Sequence, residues 1–514
     1  MNGAESLVRT LVASGVDVYF ANPGTTEMHI VAGLDRVEGI RSILVLFEGV
    51  ATGAADGYAR MTGKPACTLL HLGPGCANGL ANLHNAYRAQ VPIISLVGQH
   101  ATSHLRHDAP LTSDIEAIVR PYSRWMRTCE AASEAGQDAA EAIRAARTAP
   151  GQIATLIVPA DVAWSDGGAI AKPLPLPAAP TPTTETIERA AAMLRSGLRT
   201  ALLIGGNGLY GKGLELAGRI ALATNTRLFA PYPFTRLEQG AGAPPVDRIA
   251  FIFEQAVEQL KEFRQMILVG ARAPVSYFAY PGKKGSPLGE GCEVYGLAGH
   301  GVDCASALEA LASCLSLPAA APTTEKAERP PLPEGEIAAA GIAAAVAALL
   351  PENAIVIEES MTSGRGLMAA TRGIPRHTWL ANTGGSIGIA MPLAVGAAVA
   401  CPDQRVLCLS ADGSGMYTLQ ALWTMAREGL NVTTIIFANH VYAVLRREFS
   451  GLGIGNPGAR AANLFEIDRP RIDWVSLAKG MGVPGTRADS LDLFVKALRR
   501  GLEGRGPSLI EIDV

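Results

Sequence analysis

A chain of 514 residues, 48% apolar and 18% charged, with a formal net charge of −3, can hold several domains and shows no electrostatic footprint for nucleic acid. Its eight cysteines are scattered, with no CxxC pair, which speaks against a zinc ribbon or a disulfide framework and fits a reducing compartment. The N-terminal run enters an amphipathic helical pattern without a signal-like apolar core, and no uncharged apolar stretch is long enough to span a membrane, so a cytoplasmic address is expected.

In chain order, two Pro/Ala-rich stretches at 165–186 and 317–336 read as extended linkers. They leave blocks at 1–165, 187–316 and 337–514. The first alternates helical patterns with "VDVYFA", "SILVLF", "ACTLLHL", "PIISLVG" and "IATLIVP". The middle one has "TALLIGG", "TRLFA", "QMILVG" and "CEVYGL"; the last has "AIVIEE", "RVLCLSA", "TTIIFAN" and "SLIEIDV". These short apolar runs suit strands buried on both faces. The expected fold class is therefore α/β, with three domains that each carry a mainly parallel sheet flanked by helices. Ligands bind beyond the carboxyl ends of such strands, so the polar residues there are the ones to question.

The middle block offers Gly206, Gly208 and Gly211 in GxGxxG spacing after a strand. That pattern suggests a dinucleotide site and a remote alternative, an NAD(P)-dependent oxidoreductase. The fingerprint also wants an acid at the end of the following strand, and "TRLFAPYP" has none. A plain strand–helix turn is the simpler reading.

In the last block Asp412 follows "RVLCLSA" and Asn439 ends "TTIIFAN". Two adjacent parallel strands would bring a carboxylate and a carboxamide oxygen to one sheet edge, a hard oxygen site of the kind Mg²⁺ prefers. Mg²⁺ usually bridges to phosphate oxygens, so a diphosphate ligand is implied. Gly413 and Ser414, opening a helix over "TLQALWTMAR", could offer it backbone N–H groups. The competing reading is an ordinary helix N-cap and a turn asparagine.

Asp-Gly-Ser followed 27 positions after the Asp by Asn439 resembles the signature of thiamine diphosphate-dependent 2-oxo acid decarboxylases and carboligases. "FEGVATGAADGYAR", "NPGTTE", "HLGPGCANGLANLHNAY" and "NTGGSIGIAMPLAVGAA" extend the resemblance over the whole chain. Benzoylformate decarboxylase and the acetolactate synthase-like enzymes are the most similar branches. The resemblance implies two thiamine diphosphate-binding-type domains, one for the pyrimidine (1–165) and one for the diphosphate and Mg²⁺ (337–514), around a Rossmann-like middle domain (187–316). One departure is Ala411, where the signature has glycine; a left-handed backbone there would be strained by alanine.

The resemblance also assigns roles. Asp412, the Asn439 side chain and the Val441 carbonyl would bind Mg²⁺. Ser414, Ser360 and Thr362 would contact the diphosphate. Glu48 would hydrogen-bond the aminopyrimidine and so promote loss of the thiazolium C2 proton, a task suited to a buried carboxyl. Ile387 would prop the cofactor in its bent shape, and the Gly385 carbonyl would accept from its amino group. His71 would move protons or hold the substrate carboxylate, with Thr25 and Val444 on the substrate. Phe278 or Ala279 stands where the aryl-acid decarboxylase has a second histidine, and Glu448 where it has an aromatic.

The implied reaction is cleavage of the C–C bond next to the keto group of a 2-oxo acid, with release of CO₂. The remaining fragment is then protonated, as in benzoylformate decarboxylase. The alternative is transfer to a second carbonyl, as in acetolactate synthase-type carboligases. FAD is not expected in so short a middle block. The partners expected are a small 2-oxo acid and further copies of the chain, a homodimer at minimum and by resemblance a homotetramer, with no nucleic acid and no membrane. His100, His104 and His107 share helical spacing; a transition-metal site there is a minor alternative to a cleft border in which Arg106 or a histidine steers a carboxylate.

Overall fold

The computed structural model describes residues 1–299, 301–317 and 327–514. The linker expected at 317–336 therefore lies partly outside the described residues, at 318–326. The described remainder of that stretch and the 167–183 segment contain no helix or strand.

Three sheets organise the chain. The first holds β1 (Val18–Ala21), β2 (Arg41–Leu44), β3 (Ala66–Leu70), β4 (Ile93–Gln99), β5 (Trp125–Thr128) and β6 (Ile153–Pro159), in the order β2-β1-β3-β4-β6-β5. All its pairs are parallel. The middle stretch supplies β7 (Thr200–Ile204), β8 (Arg227–Ala230), β9 (Leu237–Gln239), β10 (Asp247–Arg248), β11 (Gln265–Val269) and β12 (Glu293–Ala298). Of these, all but β9 form a parallel sheet of order β10-β8-β7-β11-β12. The third sheet holds β13 (Ile355–Glu359), β14 (His377–Ala381), β15 (Val406–Ala411), β16 (Val432–Ala438), β17 (Gly485–Ala488) and β18 (Ser508–Asp513). Its order is β17-β18-β16-β15-β13-β14-β9, so β9 crosses over to pair antiparallel with β14.

The runs read as buried strands behave as such: every residue of β3, β4, β6, β7 and β16 is buried. The pattern missed β5, β9, β10, β14 and β17. Four of these are edge strands and the fifth, β14, lies next to an edge; they are short or mixed in polarity, so periodicity carries little signal for them.

The Gly- and Ala-rich segments have a packing cause. Helices Glu48–Thr62 and Ala390–Ala400 lie against one another so closely that a β-carbon at Gly57 would sit 2.2 Å from the Leu393 carbonyl oxygen. One at Gly396 would sit 1.9 Å from the Ala54 carbonyl oxygen. The wholly buried Asp56–Arg60 pair (2.6 Å) lies on the same helix. Arg60 donates onward to the Ala381 carbonyl (2.6 Å) and to Thr383 Oγ1 (3.0 Å). Buried guanidinium and carboxylate thus satisfy each other and tie the first helix to the end of β14.

Candidate active site

At the carboxyl edge of the first sheet, β2 leads into helix Glu48–Thr62 and β3 leads into helix Leu72–Ala89. Glu48 is the first residue of the former and is 6% exposed. Its Oε2 accepts from Asn78 Nδ2 at 3.0 Å, and its Oε1 takes no hydrogen bond among the described residues. His71 is the N-cap of the latter helix. Gly75, one turn in, separates the two: a β-carbon there would lie 2.9 Å from Glu48 Oε1 and 3.2 Å from His71 Cβ. Glycine therefore keeps open the space that both side chains border.

His71 Nδ1 lies 2.8 Å from Oε2 of Glu27, a wholly buried carboxylate that also accepts from the Gly24 N–H at 2.7 Å. Gly24 and Gly98 make room: a β-carbon at the first would strike the His71 ring, and one at the second would strike the Glu27 carboxylate. The hydroxyl facing His71 is that of Thr26, at 3.4 Å, with its other contact to Glu27. Thr25 opens the same short turn and is exposed. The sequence reading missed Glu27. It closes the "NPGTTE" stretch, yet no local signal ties it to a histidine 44 positions on.

At the carboxyl edge of the third sheet, Asp412 follows β15 and Asn439 follows β16, on adjacent parallel strands. Ala411 has φ −76° and ψ 153°, an extended conformation that alanine adopts without strain, so the missing glycine of the signature costs nothing here. Asp412 is 2% exposed and accepts from the N–H groups of Gly413 and His440, each at 2.8 Å. Burial pushes its carboxyl up, partly offset by those N–H bonds. His440 reaches it because its own φ is +53°, and His440 Nε2 is anchored on Asp513 Oδ1 at 2.7 Å. No lysine or arginine among the described residues pairs with Asp412. Asn439 Nδ2 lies 3.4 Å from Thr362 Oγ1 and its Oδ1 takes the Val441 N–H at 3.1 Å. A buried carboxylate without a lysine or arginine partner, a carboxamide oxygen and a backbone carbonyl form a donor set suited to a hard divalent cation.

Two neighbours differ from expectation. The helix expected to open at Gly413 is a short turn, Asp412–Gly415, and the helix proper runs Ala421–Glu428. Gly413 is needed there by packing, since a β-carbon would sit 2.6 Å from the Tyr442 ring. Its N–H is taken up by Asp412, while Ser414 is buried beside it. Ser360, also buried, turns its hydroxyl to Glu358 Oε1 at 2.7 Å.

The loop between β14 and helix Ala390–Ala400 carries Gly385 and Ile387. Gly385 has φ +79°, open to glycine alone without strain, and faces Tyr277. Ile387 is half-buried. A residue the sequence reading did not single out, Glu359, organises this loop. It accepts from Asn382 Nδ2 (3.0 Å) and from the N–H groups of Gly388 (3.0 Å), Ile389 (3.3 Å) and Ala390 (3.0 Å). Burial pushes its carboxyl up to about 7, against the pull of those donors. From the other side, Asn85 donates to the Ser386 carbonyl at 2.9 Å.

Among the described residues no hydrogen bond or ion pair joins the Glu48–His71 cluster to the Asp412–Asn439 cluster within the chain. Val444 lies on helix Ala443–Gly451, and Phe278 is 52% exposed and meets Tyr277 edge to face. His100, His104 and His107 lie in turns rather than one continuous helix, their rings 5.4 Å apart in succession. No group of three or more His, Cys, Asp or Glu among the described residues could hold a metal ion. In the middle sheet a cavity of about 660 Å³ borders Gly205 and Gly206. At the start of the helix that follows, the Gly211 N–H, which a pyrophosphate would need, is taken by Glu238 Oε2 at 3.0 Å. A carboxylate at that point repels a diphosphate, which weakens the nicotinamide reading. No described helix is long and apolar enough to cross a membrane.

Three parallel sheets, with oxygen donors at the edge of one and a buried carboxyl–histidine cluster at the edge of another, define a cofactor-dependent α/β enzyme. The family described as thiamine pyrophosphate enzyme, N-terminal TPP binding domain, matches residues 1–118, and its C-terminal TPP binding domain matches 363–512. A protein of Mycobacterium tuberculosis named "Putative acetolactate synthase large subunit IlvX" is 52% identical over 100% of this chain and 99% of its own. Benzoylformate decarboxylase of Pseudomonas aeruginosa is 27% identical over 97% and 96%. The structure of a thiamine diphosphate-dependent 4-hydroxybenzoylformate decarboxylase of Rhodococcus jostii has the same fold, with a TM-score of 0.86 at 24% identity over 100% and 99% of the two chains. The chain belongs to the thiamine pyrophosphate enzymes, in the group that holds the 2-oxo acid decarboxylases and acetolactate synthases.

Proposed function

We propose that this enzyme cleaves the C–C bond next to the keto group of a 2-oxo acid, releasing CO₂, with thiamine diphosphate and Mg²⁺ bound. The observation that carries the reading is the open space at Gly75, bordered by the Glu48 carboxylate and by the Glu27–His71 pair. When bound, the cofactor supplies the electron sink for loss of CO₂. Asp412, Asn439 and the Val441 carbonyl would hold the metal, with Thr362, Ser414, Ser360 and Gly413 around the diphosphate. Gly385 and Ile387 would meet the rest of the cofactor on the loop that Glu359 holds. Glu48, whose Oε1 borders the space at Gly75, would exchange a proton with the aminopyrimidine of the bound cofactor. Glu27 fixes the imidazole of His71 through Nδ1, leaving Nε2 to exchange a proton with the reacting fragment. Thr25 and Val444 line the substrate.

Among the described residues the two clusters share no hydrogen bond within one chain, which supports a site completed between two copies, at least a homodimer. The division into domains at 1–165, 187–316 and 337–514 is part of the same reading, with β9 crossing from the second to the third. All eight cysteines are free thiols, which suits a reducing cytoplasm.

Acetolactate-type carboligation is the second reading. Phe278 or Ala279, neither of which can give or take a proton, stands where a decarboxylase would use a second histidine. Proton NMR of the purified enzyme with both cofactors separates the two. Aldehyde formed from a 2-oxo acid alone marks a decarboxylase, and a hydroxy ketone with little free aldehyde marks a carboligase. Absence of both products across a panel of 2-oxo acids overturns the proposal.

A further inference from the structure

Arg447 lies on helix Ala443–Gly451, one turn beyond Val444 and on the same face. Its guanidinium sits 5.5 Å from the centre of the Phe251 ring, and its Nη2 is bracketed by Glu448 Oε1 at 3.1 Å. The other oxygen of Glu448 takes the Tyr280 hydroxyl at 2.7 Å, so that carboxylate is divided between two donors. Nη1 of Arg447 is buried without a hydrogen-bond partner. Arg365, on the loop after β13 that also carries Ser360 and Thr362, makes no hydrogen bond or ion pair with any described residue. Partial burial and then the nearby charge of Arg447 hold its guanidinium below the ordinary value, although the residue is exposed. A third cation, Arg248, stands 5.1 Å from the centre of the Tyr232 ring, which stacks 5.2 Å from Phe251. Tyr277 continues this aromatic wall, 5.2 Å from Phe251, to the cofactor loop at Gly385.

Three guanidiniums thus border this aromatic wall, with Glu448 bonded to Arg447 and Glu358 near Arg248. Among the described residues Arg447 Nη1 is buried with no acceptor and Arg365 has no anionic partner, so both lack what a guanidinium needs. An anion between them would supply it, and guanidinium groups suit a planar carboxylate. We propose, building on the 2-oxo acid reading above, that the substrate carries a second carboxylate at its far end, held by Arg447 and Arg365. The aromatic wall of Phe251 and Tyr277 would flank its methylene chain, and Glu448 is a positioning residue that aims Arg447.

The test compares acids that differ only at the far end: 2-oxoglutarate against 2-oxopentanoate, and 2-oxoadipate against 2-oxohexanoate. The enzyme is the full chain with thiamine diphosphate and Mg²⁺. The dicarboxylic member of at least one pair is expected to win by about tenfold or more in kcat/KM, chiefly through KM. Arg447→Met and, on the exposed loop, Arg365→Met should each cut that preference about tenfold, with unchanged circular dichroism as the folding control. Equal or better use of the monocarboxylic acids, or a preference that neither variant moves, overturns the proposal while leaving the 2-oxo acid reading intact. Calorimetry with glutarate against pentanoate reads the anion site without turnover. Glutarate binding that Arg447→Met abolishes supports the site even if no 2-oxo acid is consumed and the reading of the reaction falls. No selective glutarate binding in that case overturns both.

Discussion

The wholly buried Oε2 of Glu27 lies 2.8 Å from Nδ1 of His71, across 44 positions of sequence. A carboxylate so placed holds the imidazole in one orientation and one tautomer. Glu27→Gln should leave the fold and cofactor binding in place and lower kcat by about 10²-fold or more. His71→Gln should cost a similar factor, and the double variant little more than either alone, because the pair acts as a unit. Steady-state CO₂ release checks this, and full additivity would count against the pairing.

Glu48 has one oxygen held by Asn78 and the other turned to the space at Gly75. Glu48→Gln preserves the volume and removes the exchangeable proton. It should bind thiamine diphosphate within a fewfold of the parent while losing about 10²-fold or more in turnover. Fluorescence titration with the cofactor and a single-turnover assay separate the two effects, and unchanged turnover would remove Glu48 from the mechanism.

Asp412 is a buried carboxylate with no lysine or arginine partner among the described residues, a setting that a divalent ion would suit. Removal of divalent metal by a chelator should weaken thiamine diphosphate binding by about a hundredfold or more, restored by Mg²⁺. Asp412→Asn should bind the cofactor weakly whatever the metal concentration. Equilibrium dialysis reads both.

Glu359 holds the loop of Gly385 and Ile387, with its carboxyl raised by burial from 4.5 to about 7. The folded state then binds this proton more tightly than the unfolded state. The stability that follows is fully present below about pH 4.5 and is lost as pH rises towards 7, up to about 3 kcal/mol by linkage. The thermal midpoint of the parent relative to Glu359→Gln should fall across that window. A difference independent of pH would refute the assignment.

Arg60→Met would strand the Asp56 carboxyl, wholly buried, whose value burial raises and Arg60 lowers. A loss of about 3–5 kcal/mol is expected. The Asp56→Leu/Arg60→Met double variant should recover part of it, since an apolar pair replaces a stranded charge. Denaturant midpoints of the three variants check the order.

Much of this molecule was legible from local pattern. Apolar runs of strand length announced β3, β4, β7, β15 and β16, because a strand covered by helices on both faces must be apolar throughout. Asp412 and Asn439 could be brought to one edge from sequence alone, since a helix between two such runs implies adjacent parallel strands. The bond from Glu27 to His71, the clamp of Glu359 on the Gly388–Ala390 backbone, the approach of the Thr26 hydroxyl to His71, and the crossing of β9 to pair with β14 were decided only by the tertiary structure. Each joins segments far apart in the chain. Periodicity states which face of an element is buried; which side chain that face meets depends on how the sheets and helices pack.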